Sequence, residues 1–197
     1  MKNLYLTDSE LIEKFRQGDQ SSIELLINRY RKKLYTYIIL IVKNKDLAED
    51  IFQETILKVI KSILKNQYTE SGRFCAWLYR IAHNLIIDYY RRKSKFEAIN
   101  KDDYDYNILD IITSHKHTEN FENKIHINYI RKNIRNLINH LPYEQKEIVI
   151  MRIYLGLSFK EIAELTNVSI NTALGRMRYA ILNLRKIIKE NNIPLQA

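Results

Sequence analysis

"SFKEIAELTNVSINTALGRMRYAILNLRKI", residues 158–187, has the form helix, tight turn, helix. Ser158 caps a short first helix whose apolar positions are Ile162, Ala163 and Leu165. Asn167 falls at the turn, where asparagine tolerates a left-handed backbone better than other non-glycine residues. Val168 plugs the turn and Ser169 caps the second helix. Ala163, four positions before Asn167, is small enough for two helices to approach closely at a steep angle. The pattern is that of a helix-turn-helix.

At about 100° per residue, Ala173, Met177, Ala180, Ile181, Leu184 and Ile188 share the core face of the second helix. Gly175 lies about 200° round from Ala173, near Asn171 and Arg178, on the outer side. A glycine inside a helix costs about 1 kcal/mol relative to alanine, and packing within the domain does not account for one facing outward. Ser169, Thr172, Arg176 and Arg178 can hydrogen-bond phosphates or base edges, and Leu174 suits a thymine methyl. Together with Ser158, Asn171, Gly175 and Tyr179 they form a candidate duplex-binding set. The competing reading is the solvated face of a packing helix.

The chain of 197 residues carries 32 Lys+Arg against 23 Asp+Glu, a net charge of +9. That excess points to a polyanion, nucleic acid before an anionic membrane. Its distribution divides the chain: residues 1–95 are net +7, residues 96–128 net −4 and residues 129–197 net +6. The acidic middle, "EAINKDDYDYNILDIITSHKHTENFEN", lacks periodicity and reads as a linker between two basic helical domains. Four glycines and two prolines leave little punctuation, and no segment alternates as a strand would. The class expected is all-α. Helix starts are read at Thr7/Glu10, Ser21/Glu24, Asp46/Glu49 and Ser158/Glu161, with Pro142 in the first turn of another helix.

Cys75 is the one cysteine, so no internal disulfide is expected and a reducing cytosol fits. The opening "MKNLYLTDSELIEKF" has no apolar signal core, and "YIILIV" at 37–42 is too short to span a bilayer. A soluble, cytoplasmic protein without membrane insertion is expected.

Two stretches of the first domain stand out. "KDLAEDIFQETILKVIKSI" (45–63) is an amphipathic helix with Leu47, Ile51, Ile56, Val59, Ile60 and Ile63 near one face. Its other side carries Asp46, Glu49, Asp50, Gln53 and Glu54, an acidic face suited to a basic protein partner rather than to DNA. A carboxylate metal site would need a Glu-x-x-His pair that this helix lacks. In "GRFCAWLYRIAHNLIIDYYRRKSK" (72–95), Phe74, Leu78, Ile81, Leu85 and Tyr89 make a core stripe. Arg73, Trp77, Arg80, Asn84, Ile87 and Arg91 lie on a neighbouring face, where rings, amides and guanidinium groups suit unpaired bases. A core position suits Trp77 equally well. His115 and His117 beside Glu119 read as a chance pair rather than a zinc site. No nucleophile–base pair, glycine-rich phosphate loop or metal set suggests an enzyme, a cofactor or a small-molecule substrate.

In order, "DLAEDIFQET", "FCAWLYRIAHNLIIDYYRR" and "LPYEQKEIVIMRIYLGLSFKEIAELTNVSINTALGRMRYAI" resemble the signature regions of the extracytoplasmic-function sigma factors. The resemblance covers nearly the whole chain except the linker. It implies a non-catalytic promoter-specificity subunit of RNA polymerase. Asp46, Asp50, Gln53 and Glu54 would then dock on the β′ clamp helices of core polymerase. The loop of Asn66, Gln67, Tyr68, Thr69 and Ser71 would capture an unpaired base of the −10 element. Arg73, Trp77, Arg80 and Asn84 would support the opened strand. The helix-turn-helix would read the −35 element of promoter DNA and rest on the β flap, and the linker would thread the RNA exit channel.

The sequence departs from the family's pattern at several places. Asn167 replaces the turn glycine. Ala173, Leu174 and Gly175 replace a valine, a basic residue and a serine, and Tyr179 replaces a frequent arginine. The docking mode is expected to persist while the −35 sequence read differs. With no appended domain or cysteine-rich tail, the resemblance places control in a separate anti-sigma factor. The alternative is a freestanding helix-turn-helix transcriptional regulator, dimeric on duplex DNA, with a ligand-sensing first domain. Such a sensor has no need of an acidic docking helix.

Overall fold

Thr7 and Glu10 start the first helix by exchanging hydrogen bonds. The Thr7 amide donates to the Glu10 carboxylate at 2.7 Å, and the Glu10 amide donates to the Thr7 hydroxyl at 3.2 Å. These bonds hold the Glu10 carboxyl below its usual pKa, the Thr7 amide contributing most. The resulting helix, α1 (Asp8–Arg16), belongs to a computed structural model that describes residues 6–69, 72–96 and 137–190. The expected linker lies outside these residues except for Phe96, and so do Ser71, His115 and His117. The chain divides between Tyr106 and Asn107 into two compact units.

In the first unit α1 is followed by α2 (Gln20–Val42), α3 (Lys45–Leu64) and α4 (Phe74–Phe96). Two helix starts differ from the sequence reading. Asp19, not Ser21, caps α2: its carboxylate accepts the Ser21 amide at 3.0 Å, and the Ser21 hydroxyl donates to it as well. Asn44, not Asp46, caps α3 by accepting the Leu47 amide at 2.9 Å. Asp46 stands in the first turn instead, where its charge complements the positive end of the helix dipole.

The core of this unit draws Leu11, Ile12 and Phe15 from α1, a long run from Leu34 to Val42 in α2, and Ile51, Val59 and Ile63 from α3. From α4 come Phe74, Leu78, Tyr79, Ala82, Leu85 and Ile86. Tyr37 and Tyr79 meet edge to face at 5.7 Å, both fully buried. Tyr89, expected in the core stripe, is exposed. The buried set advances along α4 in steps of three and four from Leu78 to Leu85, and Tyr89 packs edge-on against Tyr90 beyond it.

The second unit begins among described residues at a short helical stretch, 137–139, and turns at buried Leu141. Pro142 sits at the N-cap of α5 (Tyr143–Val149), one position ahead of the first turn. α5 runs straight into a π-helical turn, Ile150–Tyr154, closed by the Leu155 amide on the Ile150 carbonyl at 3.1 Å. Gly156, at φ 78°, ends it. The Ser158/Glu161 exchange then starts α6 (Phe159–Thr166), with the Ser158 amide 2.8 Å from the Glu161 carboxylate.

Asn167 adopts the left-handed conformation at φ 55°, and the Val168 amide reaches back to the Ala163 carbonyl at 3.0 Å. The chain thereby reverses into α7 (Ile170–Glu190), whose first turn is capped by Ser169, with the Thr172 amide 3.0 Å from its hydroxyl. Ala163, Ala173 and Ala180 are buried at the helix contacts. Leu141, Val149 and Ala180 pack with Ile138, Met177, Leu184 and Ile187. Ile181 and Ile188, assigned to the core face by the wheel, are not in this cluster, and Ile181 is exposed. The packed positions on α7 run 173, 177, 180, 184, 187, a narrower seam than the wheel suggests, so Ile187 takes the inner place. Among the described residues both units are helical and contain no strand: the fold is all-α.

The left-handed turn makes a direct prediction. Asn167→Gly should leave thermal stability at or above that of the parent. Asn167→Val, which forces a branched side chain into that conformation, should cost about 1–2 kcal/mol. Thermal unfolding of the full chain followed by circular dichroism measures both.

Candidate functional site

On α3, Asp46, Glu49, Asp50, Gln53 and Glu54 are all exposed along the side opposite Ala48, Ile51, Thr55 and Val59. The Gln53 amide donates to Glu49 at 3.1 Å, which fixes the spacing of the face. Glu54 pairs with Lys58 at 3.2 Å, an exposed and hence weak contact that a partner can displace. Beside this face stands Tyr35 of α2, a residue the sequence reading missed. Its ring meets Phe52 edge-on at 5.9 Å, and the Arg31 guanidinium lies 5.9 Å from the same Phe52 ring. Burial, then the charges of Glu49 and Asp46, raise the Tyr35 hydroxyl pKa and keep it a hydrogen-bond donor. The signal for it was faint: an aromatic on the flank of a largely buried helix.

The segment after α3 is built more rigidly than its sequence suggests. Asn66 is left-handed at φ 53°, and the Gln67 amide closes on the Ser62 carbonyl at 2.9 Å, a Schellman helix ending. Asn66 therefore terminates α3. Tyr68 is buried, stacked on Trp77 with ring centroids 4.1 Å apart and edge-on to Phe74 at 5.8 Å. Its ring supports Trp77 from beneath rather than presenting a face to a ligand. Gln67 and Thr69 are exposed.

Trp77 is half-buried, so one aromatic body serves both the core and the surface, and Arg73, Arg80 and Asn84 are exposed around it. An aromatic face ringed by guanidinium and amide groups can stack an unpaired base and hold its phosphates.

In the second unit Ser158, Ser169, Asn171, Thr172, Leu174, Arg178 and Tyr179 are exposed, and Gly175 and Arg176 are half-buried. The N-terminus of α7, where the helix dipole is positive, therefore offers the exposed Ser169, Asn171 and Thr172, a setting suited to a phosphate. Arg176 and Arg178 are held in no ion pair among the described residues. A Cβ built on Gly175 meets nothing within 4 Å. The glycine lies in a shallow groove between α7 and the start of α5, lined by Glu144, Gln145, Thr172, Arg176 and Tyr179. The sequence does not announce the α5 wall of that groove, because α5 meets α7 through residues far apart in the chain, such as the Asn183 amide donating to Gln145 at 2.7 Å across 38 residues.

The fold and these faces define a two-unit helical protein with a helix-turn-helix and a basic, aromatic-centred helix face. Comparison with known proteins resolves the class. The model of sigma-70 region 2 matches residues 26–96, and that of sigma-70, region 4 matches residues 131–177. The ECF RNA polymerase sigma-E factor of Haemophilus influenzae is 29% identical over 194 residues, covering 96% of this chain and 97% of that protein. The factor of the same name from Escherichia coli (strain K12) is 28% identical over 196 residues, covering 96% of each.

Among solved structures, CnrH in complex with the cytosolic domain of CnrY has a TM-score of 0.64 at 17% identity, over 93% of this chain and 97% of that one. The Bartonella quintana sigma factor RpoE, in complex with the anti-sigma factor NepR, has a TM-score of 0.66 at 17% identity, over 86% and 98%. These two likenesses establish the fold. The chain belongs to the sigma-70 family of RNA polymerase sigma factors, in its extracytoplasmic-function branch, and acts in transcription initiation. No helix among the described residues is long and apolar enough to cross a membrane.

Since the space beside Gly175 is open, Gly175→Ala should stabilise the second unit by about 1 kcal/mol, seen as a rise in its unfolding midpoint in urea.

Proposed function

We propose that residues 1–95 dock on core RNA polymerase and hold the opened −10 strand, and that residues 96–128 act as the tether. Residues 129–197 then read the −35 duplex. The observation that carries this reading is the exposed acidic face of α3 on a chain of net charge +9. The carboxylates of Asp46, Asp50 and Glu54, with the Gln53 amide among them, would repel nucleic acid and attract a basic protein surface, here the β′ clamp helices. One helix further on, Trp77, Arg73, Arg80 and Asn84 have the opposite character, with Gln67 and Thr69 beside them.

On α7, Ser169, Asn171, Thr172 and Arg178 face outward, with Arg176 beside the glycine. Leu174, Gly175 and Tyr179, where the family has other residues, set which −35 bases are accepted. Exposed Ile153 and Tyr154 at the π turn suit an apolar contact with the β flap. The solved structure of Bartonella quintana RpoE, similar in fold, holds a sigma factor with the anti-sigma factor NepR, which supports control of this chain by an anti-sigma protein in the cytoplasm.

Run-off transcription tests the whole reading: core polymerase with this protein should start at a promoter that core alone ignores. No transcript from any promoter of its own genome would sink it, and binding of duplex DNA without core-dependent initiation would favour a freestanding regulator. Asp50→Lys and Glu54→Lys should each weaken binding to core polymerase about tenfold, roughly 1.4 kcal/mol, while binding of an isolated −35 duplex stays unchanged. Gly175→Leu should do the reverse, impairing −35 binding and sparing the polymerase interaction.

A further inference from the structure

Arg16 ends α1, ten positions before the stretch matched by the region 2 model begins at residue 26. Its Nη2 donates to the carbonyl of Tyr68 at 2.6 Å, a contact between positions 52 residues apart. The bond is short and charge-assisted, and the guanidinium is largely shielded, at 26% exposure. Glu13, at 3.8 Å, flanks it without closing a tight pair. The Arg16 Nε–H is buried without a hydrogen-bond partner among the described residues. The side chain is thus held at Tyr68 although the arrangement leaves one of its own donors unmatched.

What Arg16 holds is the described end of the chain segment that leads from α3 toward the candidate strand-binding face. Upstream of Tyr68 the Schellman ending fixes Asn66 and Gln67 to α3. At Tyr68 the ring is stacked beneath Trp77 at 4.1 Å, and Trp77 is tilted on Phe74 at 5.7 Å. The Tyr68 backbone therefore determines both how the Trp77 ring is propped and the direction in which the chain leaves toward Thr69. Arg16 clamps that backbone from α1, an element that belongs to neither α3 nor α4.

We infer that Arg16 is a positioning residue for single-stranded DNA: through the Tyr68 carbonyl it sets the Tyr68–Trp77 stack as a base-stacking platform. α1 thereby becomes part of the strand-capturing apparatus although it need touch no nucleotide. The inference rests on the proposal that the Trp77 face receives the opened strand.

Trp77 is the one tryptophan in the chain, so its fluorescence reports on the platform without labelling. In the free full-length protein, Arg16→Ala should shift Trp77 emission to the red and at least double its quenching by acrylamide, with far-ultraviolet circular dichroism unchanged. Arg16→Lys, which keeps one charged donor, should restore most of the parent spectrum. In holoenzyme assembled on core polymerase, Arg16→Ala should bind about tenfold more weakly to a single-stranded oligonucleotide carrying the nontemplate −10 region of a promoter it uses. Affinity for core polymerase should stay within twofold, a pattern that general destabilisation would not give.

Parent-like Trp77 emission in Arg16→Ala, or parent-like strand binding by its holoenzyme, overturns the inference. A parent holoenzyme that starts transcription but does not bind the single strand overturns it too, by removing the platform's ligand. The earlier reading fails by a different sign, the absence of any core-dependent transcript.

Discussion

Close contact at alanine is the constraint on which the rest of this molecule depends. Ala48 and Ala82 in the first unit, and Ala173 and Ala180 in the second, are fully buried, and Ala163 nearly so. Where a helix meets its neighbour through a methyl group the axes can approach closely, and the larger residues on either side interdigitate around the contact. A helix held so firmly along one seam is free to carry almost anything on its remaining faces. α3 uses that freedom for carboxylates, α4 for arginines around one indole, and α7 for hydroxyls, arginines and a bare stretch of backbone. The opposed chemistry of α3 and α4 is tolerable because each is pinned by its core side.

The local signals of the sequence translated well into structure where one residue decides the outcome. Thr7 with Glu10, Ser158 with Glu161, and Asn167 at the turn each act within four residues of their partners, so spacing alone reveals them. Ambiguity entered where two acceptors compete. Asp19 and Ser21 can both cap α2, and the aspartate prevails because the serine hydroxyl serves better as its donor. Asn44 and Asp46 pose the same choice, settled by which of them has an extended backbone. The wheel on α7 misplaced Ile181 because a wheel shows which residues share a side, not how wide the neighbouring surface is.

The candidate faces were legible as chemistry but not as architecture. Every acidic residue read onto the outer side of α3 is there, and Arg73, Arg80 and Asn84 surround Trp77 on the surface. Tyr68, by contrast, is expected in a loop open to a ligand but is buried, and Asn66, though exposed, also ends α3 in the left-handed conformation. The aromatic stack of Tyr68 needs Trp77, nine residues on, and its carbonyl needs Arg16, 52 residues back. No periodicity encodes such a meeting; it exists only once α1 has packed. Likewise the groove at Gly175 needs α5 beside α7, so the sequence could show the missing side chain but not the wall facing it.

The π-helical turn between α5 and α6 has a consequence of another kind. A turn of this sort holds about one residue more than an α-helical turn, so the side chains within it are rotated relative to a continuing α-helix. Here that rotation carries Ile153 outward, to 70% exposure, while Met151 and Leu155 stay inside. The segment is therefore constrained in length more than in composition. Exchanging one apolar residue for another within Ile150–Tyr154 leaves the geometry intact, whereas losing a single residue would relax the turn to an ordinary helix. The helix-turn-helix would then leave its support at a different angle. Variation in this stretch should appear as substitution, and insertion or deletion should be confined to the acidic middle of the chain.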